Sequence, residues 1–117
     1  MGTITNFLIR WLVNTISLIA VVNIVSGVSL DNWQTTVVTA LVIGLLNSFL
    51  KPVIVILTLP VNIMTLGLFT LIINGLMFSL AAFIVKGFHV GNFWNAFWAA
   101  FIFSIISFMI NFFISIK

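Results

Sequence analysis

The 117-residue chain has no cysteine, one acidic residue (Asp31) and one histidine (His89). Without cysteine there is no disulfide or thiolate chemistry, and the redox compartment stays open. One carboxylate and one imidazole cannot assemble an acid–base pair or a metal cage, so neither an enzyme nor a bound cofactor is expected. Charge is scarce: 4% of residues are charged and 63% are hydrophobic, whereas soluble domains carry about 25% charged residues. Too few polar groups remain to cover a water-facing surface, and the solvent is therefore a bilayer. The four Lys and Arg are scattered. They form no nucleic-acid patch and act instead as topology signals. An A-x-A cleavage site and an early basic cluster are also missing, so the first apolar segment reads as a retained helix rather than a signal peptide. The start M-G-T-I-T-N misses the myristoylation pattern, because Asn6 stands where Ser or Thr is wanted.

What is present is apolar sequence in four blocks. A spanning helix needs about 20 mostly apolar residues. Polar punctuation places spans at about 5–25, 35–58, 63–85 and 94–116, with breaks at S26-G-V-S-L-D-N32, at Pro60 and Asn62, and at K86-G-F-H-V-G-N92. The expected fold is all-α: one polytopic domain over 1–117 with four transmembrane helices, the second kinked at Pro52. Residues 51–62 admit an alternative. The second helix could stop at Lys51 and leave an interfacial or re-entrant piece. Thr35 to Leu50 alone would cover only about 24 Å, short for a core of about 30 Å, so the longer kinked helix is preferred. Four spans collect Arg10, Lys51 and Lys117 on one side, and Asp31, Lys86 and His89 on the other. The positive-inside rule then puts both termini in the cytoplasm. Trp11, Trp33, Trp94 and Trp98 lie near span ends, as an interfacial belt requires, and His89 reads as an interfacial loop histidine.

I24-V-S-G-V-S-L-D-N32 and I84-V-K-G-F-H-V-G-N92 share Ile, Val, Gly and Asn at a shift of 60 residues, which also aligns Asn14 with Asn74 and Ala40 with Ala100. Two readings stay open: chance in a low-complexity apolar chain, or a duplicated two-helix hairpin. In the second, the halves are parallel, related by an axis along the membrane normal.

Every span carries a small or polar stripe in steps of three and four, which keeps residues on one helix face. The stripes are Asn6, Arg10, Asn14, Ser17 and Ala20; Thr36, Ala40, Gly44, Asn47 and Lys51; Gly67, Thr70, Asn74, Met77 and Ala81; and Ala96, Ala100, Ser104, Ser107, Asn111 and Ser115. In a bilayer, small residues let helices approach and Asn or Ser add interhelical hydrogen bonds. The plain reading is the seam of a four-helix bundle. The sharper one is a polar path, lined by Asn14, Asn47, Asn74, Asn111, Ser104 and Ser107, that becomes a pore on oligomerisation.

R10-x-x-x-N14 ascending and N47-x-x-x-K51 descending mirror each other, with both cations in one layer on the inner side. A central Lys or Arg costs about 2.5–3.5 kcal/mol on insertion scales, and snorkelling to headgroups lowers that cost. Asp31 lies on the far side, so the anions available to Arg10 and Lys51 are lipid phosphates, the C-terminal carboxylate or a bound solute. Proline at 52 frees the carbonyl of Ser48 from its ladder bond.

The string A-L-V-I-G-L-L-N47-S-F-L-K51-P52-V, with L-T-L-P60, T-L-G67-L-F, I-N74-G-L and G87-F-H-V-G-N-F-W94-N-A, resembles phage holin superfamily IV. These are the four-helix mycobacteriophage-type holins, a family that includes YvlD-type bacterial membrane proteins. The resemblance covers about residues 10–112. Lys86 departs from it, standing where proline is expected. The resemblance implies a small bacterial inner-membrane protein, and holins oligomerise and permeabilise that membrane to release a cell-wall hydrolase. Three functions are carried forward. The first is a holin-like homo-oligomeric pore. The second is a non-conducting protein that binds anionic lipid at Arg10 and Lys51, in lipid transport or envelope stress. The third is a structural subunit of a membrane complex. The residues alone favour the second; the family favours the first.

Overall fold

Unbroken apolar sequence in a bilayer must satisfy its backbone internally, and helices do so. The computed structural model describes residues 2–116, with side chains up to residue 114. Its elements are α1 (Gly2–Ile24), β1 (Val28–Leu30), α2 (Trp33–Leu45), a π-helical turn (Leu46–Leu50), α3 (Lys51–Leu57), α4 (Leu59–Met64), α5 (Phe69–Ile84), β2 (Phe88–Val90) and α6 (Phe93–Ile116). Lys117, the C-terminal carboxylate and the side chain of Ser115 lie outside the described residues. The helices at Gly2–Ile24, Trp33–Leu57 and Phe93–Ile114 are long and apolar enough to cross a membrane, and α5 is a shorter apolar helix.

The second helix runs on past Lys51 to Leu57, as the longer alternative requires. Its irregularity begins before the proline: the Lys51 N–H donates to the Leu46 carbonyl, five residues back. A π turn inserts one residue into the ladder, so the bond that Pro52 cannot make falls where the spacing is already widened.

The third helix starts at Phe69, not near 63. Leu66 (φ 59°) and Gly67 (φ 85°) adopt left-handed conformations, which a right-handed helix cannot contain. The Gly67 N–H reaches back 2.7 Å to the Asn62 carbonyl and closes α4. Asn62 holds this break together. Its amide donates to Thr58 Oγ1 at 3.1 Å and accepts from Thr70 Oγ1 at 2.9 Å, and the residue is buried. We expect Asn62→Leu to cost about 1–2 kcal/mol, the scale of a bilayer side-chain hydrogen bond in model peptides, read as a lower thermal midpoint in detergent. An unchanged midpoint would show that the break holds without it.

The two tracts expected only as breaks form short strands instead. β1 and β2 pair antiparallel, Val28 opposite Val90, Ser29 opposite His89 and Leu30 opposite Phe88. Gly27 (φ 88°) and Gly87 (φ 94°) turn the chain into each strand, a conformation in which glycine has no steric penalty. Asn32 and Asn92 cap α2 and α6 by accepting from the N–H three residues on, at 2.8 and 2.9 Å. The Asp31 N–H bonds to the Gly87 carbonyl and the Gly91 N–H to the Gly27 carbonyl.

Positions sixty residues apart behave alike well beyond the strands. Each buried residue from Val13 to Ile43 has a buried counterpart sixty positions on, including Leu18 and Phe78, Val21 and Ala81, Val28 and Phe88, Ala40 and Ala100, and Ile43 and Phe103. These pairs form most of one core beneath the ladder. Phe78 is its hub, edge-on to Phe88 at 6.2 Å and to Phe103 at 5.2 Å between centroids. Among the described residues, two buried hydroxyls, Ser17 Oγ and Thr39 Oγ1, have no hydrogen-bond partner. Trp11 is not simply an interfacial residue. It is half-buried, and its indole donates to the Val37 carbonyl at 3.0 Å, tying α1 to α2.

Candidate functional site: a cationic vestibule between the helices

The stripes divide into two parts along their length. Toward the ladder, Ser17, Ala40, Met77, Ala81, Ala96 and Ala100 are buried, and small side chains there let the helices close. Toward the other end the same stripes become polar, and the helices leave a half-open cavity of ≈ 550 Å³. The eight residues read from the sequence as the polar path and the anion site all line it. α1 supplies Arg10 and Asn14, the π turn Asn47, α3 Lys51, α5 Asn74, and α6 Ser104, Ser107 and Asn111. Pro52 is not a lining residue; it is exposed beside Lys51.

The lining also includes residues that the sequence did not single out. Ser48, read from the sequence only for its backbone carbonyl, comes from the π turn, and its place beside Asn47 and three residues before Lys51 was the available signal. Phe78 and Phe103 line the cavity as well as the core, so the vestibule is floored by the aromatic pair and closed toward the ladder. Nothing in the period of an apolar helix marks which phenylalanine forms a floor. A second cavity of ≈ 340 Å³ adjoins the first through shared Arg10 and Ser48, and is also lined by Thr3, Asn6, Phe7 and Trp11.

The polar groups of the vestibule have little to bond to within the chain. Among the described residues, the side chains of Asn14, Asn47, Asn74 and Asn111 make no hydrogen bond, and Ser107 bonds only the Ser104 carbonyl, at 3.3 Å. The interhelical hydrogen bonds expected of a packing seam are therefore not made by these amides; they face the opening instead. Arg10 is exposed and Lys51 half-buried. Among the described residues neither has an acidic partner, because the one acidic side chain, Asp31, is used elsewhere. Asp31 Oδ1 lies 3.0 Å from His89 Nε2 at the ladder, the opposite end of α2 from Lys51. In a medium of low dielectric an unpaired cation is costly, and both cations line one cavity. Arginine offers a planar fork suited to an oxyanion, and lysine a point charge. The four amides can donate to or accept from a neutral polar group.

Comparison with known proteins identifies the lineage of this arrangement. Residues 5–109 match the family described as mycobacterial 4 TMS phage holin, superfamily IV. The chain belongs to that family. An uncharacterised protein of Streptomyces coelicolor is 38% identical over 101 residues, covering 78% of this chain and 81% of its own length. The uncharacterised membrane protein YvlD of Bacillus subtilis is 31% identical over 94 residues, covering 76% of this chain and 79% of its own. No solved structure matches the chain. The matched segment of this superfamily IV protein includes both cations and most of the vestibule; Asn111 lies just past its end.

Proposed function

We propose that this holin-like protein is a non-enzymatic, four-span protein of the bacterial inner membrane that holds the oxyanion of a phosphate-bearing headgroup between Arg10 and Lys51. The observation that carries the reading is the vestibule itself: among the described residues, two cations without an acid, beside four amides without a partner. The positive-inside rule favours both termini in the cytoplasm, which opens the vestibule to the inner leaflet. The second span kinks at Pro52, following the π turn. The sixty-residue correspondence in burial, caps and strand register supports two parallel hairpins about an axis along the membrane normal. The test is to extract the protein from membranes into neutral detergent and count lipid phosphorus per chain. Retained phosphate lipid supports the reading, and phosphorus-free protein would sink it.

A second reading is favoured by the family and by the polar face of α6, where Ser104 and Asn111 are exposed. Copies could associate through this face into a homo-oligomeric pore. Within one chain the Phe78–Phe103 floor opposes conduction, so conduction requires assembly. Dye release from vesicles separates the two. Release that climbs steeply with protein density supports the pore, and tight vesicles at high density leave a non-conducting lipid-binding protein.

A further inference from the structure

The vestibule is built on a nearly symmetric frame but is not symmetric in charge. Residues sixty apart face the same space: Asn14 and Asn74, Asn47 and Ser107, Lys51 and Asn111. Both cations belong to the first hairpin. The second hairpin supplies Asn74, Ser104, Ser107 and Asn111 and no charge. A bare phosphate would need only the cationic half. The volume of ≈ 550 Å³ also far exceeds the share of a few waters, at about 30 Å³ each, and falls among cavities that take ligands of some size, about 300–1,000 Å³. The occupant therefore has two unlike ends. An ammonium group at the second end would find amides but no carboxylate among the described lining residues, and two cations across the cavity. Hydroxyl groups fit better, because each can both donate to and accept from an amide.

Building on the oxyanion reading above, we infer that the vestibule selects a phosphodiester headgroup bearing hydroxyls, a glycerol- or sugar-phosphate. Arg10 and Lys51 hold the phosphate, and Asn111 and Ser107 hold the hydroxyls. The same chemistry is available on a lipid or on a soluble ester, and the test distinguishes the two.

The full chain is reconstituted in phosphatidylcholine vesicles carrying a trace of labelled phosphatidylglycerol or labelled phosphatidic acid. It is then extracted in neutral detergent, and the label retained per chain is counted. A site that reads charge alone prefers phosphatidic acid, whose monoester carries more charge. The expected result is the reverse: phosphatidylglycerol retained about tenfold more, equivalent to roughly 1.4 kcal/mol. Ser107→Ala with Asn111→Leu should erase that preference while leaving phosphatidic acid retention in place, and Asn111→Gln, which keeps an amide, should restore it. Lys86→Gln, a cation outside the vestibule, should change nothing. Equal retention of the two lipids, or a preference untouched by the Ser107/Asn111 change, overturns the inference but leaves the oxyanion reading standing. Retention of neither lipid overturns both. Loss of retention in Lys86→Gln as large as in Arg10→Gln overturns the inference in favour of general surface charge. Soluble glycerophosphoglycerol, a phosphodiester bearing the same hydroxyls, added as competitor decides the source. Displacement of the label at equal concentration overturns the lipid, and its failure to displace supports it.

Discussion

Replacing Arg10 and Lys51 together by glutamine is expected to reduce retention of anionic lipid by about 100-fold, with each single change giving about tenfold. A hydrogen bond to a charged group is worth about 1.5–3 kcal/mol, and each cation is asked to supply one such interaction. Glutamine keeps a polar, flexible side chain in each place, so the change tests charge rather than volume. The folded state should not suffer. Neither cation has an acidic partner among the described residues, so removing them breaks no ion pair and relieves an uncompensated charge in a medium that disfavours it. The thermal midpoint of the double variant should therefore hold or rise while lipid retention falls. That opposite movement separates a binding role from simple snorkelling to the interface. Full retention in the double variant would mean that bulk headgroups, not a site, satisfy these side chains.

Gly27→Ala is expected to be the most damaging single methyl added to this chain, costing about 2–3 kcal/mol. Two penalties combine. At φ 88° an L-residue is held in a sparsely populated region, which costs about 1–3 kcal/mol. The new Cβ would also collide with the Asn95 side chain, which sits in the first turn of α6, just after the Asn92 cap. The damage therefore falls on the joint between the two hairpins, because the Gly27 carbonyl accepts from Gly91 and completes the ladder. The equivalent change at Gly87 is milder in contact: its Cβ would meet Thr35 Oγ1 at 3.0 Å. A thermal-melt series in detergent should rank wild type above Gly87→Ala, and that above Gly27→Ala. Adding Asn95→Ala to Gly27→Ala should recover the steric part and not the backbone part, a coupling visible in a double-mutant cycle. Equal melts for Gly27→Ala and wild type would show that the ladder does not hold the hairpins together.

Much of the vestibule could be read from residue order. The i, i+4 pairs Arg10–Asn14 and Asn47–Lys51, and the run Ser104, Ser107, Asn111, each lie on one helix face because 3.6 residues make a turn. What order could not tell was whether those faces meet tightly. Sequence period gives a direction around each helix but no distance between helices. Ala40, Ala96 and Ala100 let one end close, while the bulkier, polar side chains at the other end stay apart around a cavity. For that reason the asparagines expected as hydrogen-bonding seam residues are left facing open space. Ser48 and the Phe78–Phe103 floor were missed for the same reason, since an extra serine or one phenylalanine among the 13 carries no signal of which neighbour it meets.

The breaks follow a similar division. Glycine and asparagine mark where helices stop, and they do so at residues 26–32 and 86–92. Pairing of Val28–Leu30 with Phe88–Val90 joins tracts sixty residues apart, and strands of three residues leave no period to detect. At 65–68 the break falls later than polarity suggested, so that the third helix starts at Phe69, because Asn62, Thr58 and Thr70 lock the turn through bonds across the break.

Sequence by itself determined that the solvent is a bilayer, because a chain with 4% charged residues has nothing else to face. It also determined that helices fill the apolar blocks, though not that the third starts only at Phe69, and that Arg10 and Lys51 share one end while Asp31 stands at the other. Tertiary structure alone decided that Asp31 is spent on His89, that the ladder closes one end of the bundle, and that four polar faces open into one vestibule. The first set depends on hydropathy and on local backbone preference, both of which are properties of neighbouring residues. The second depends on side-chain volumes from distant segments filling, or failing to fill, the same space.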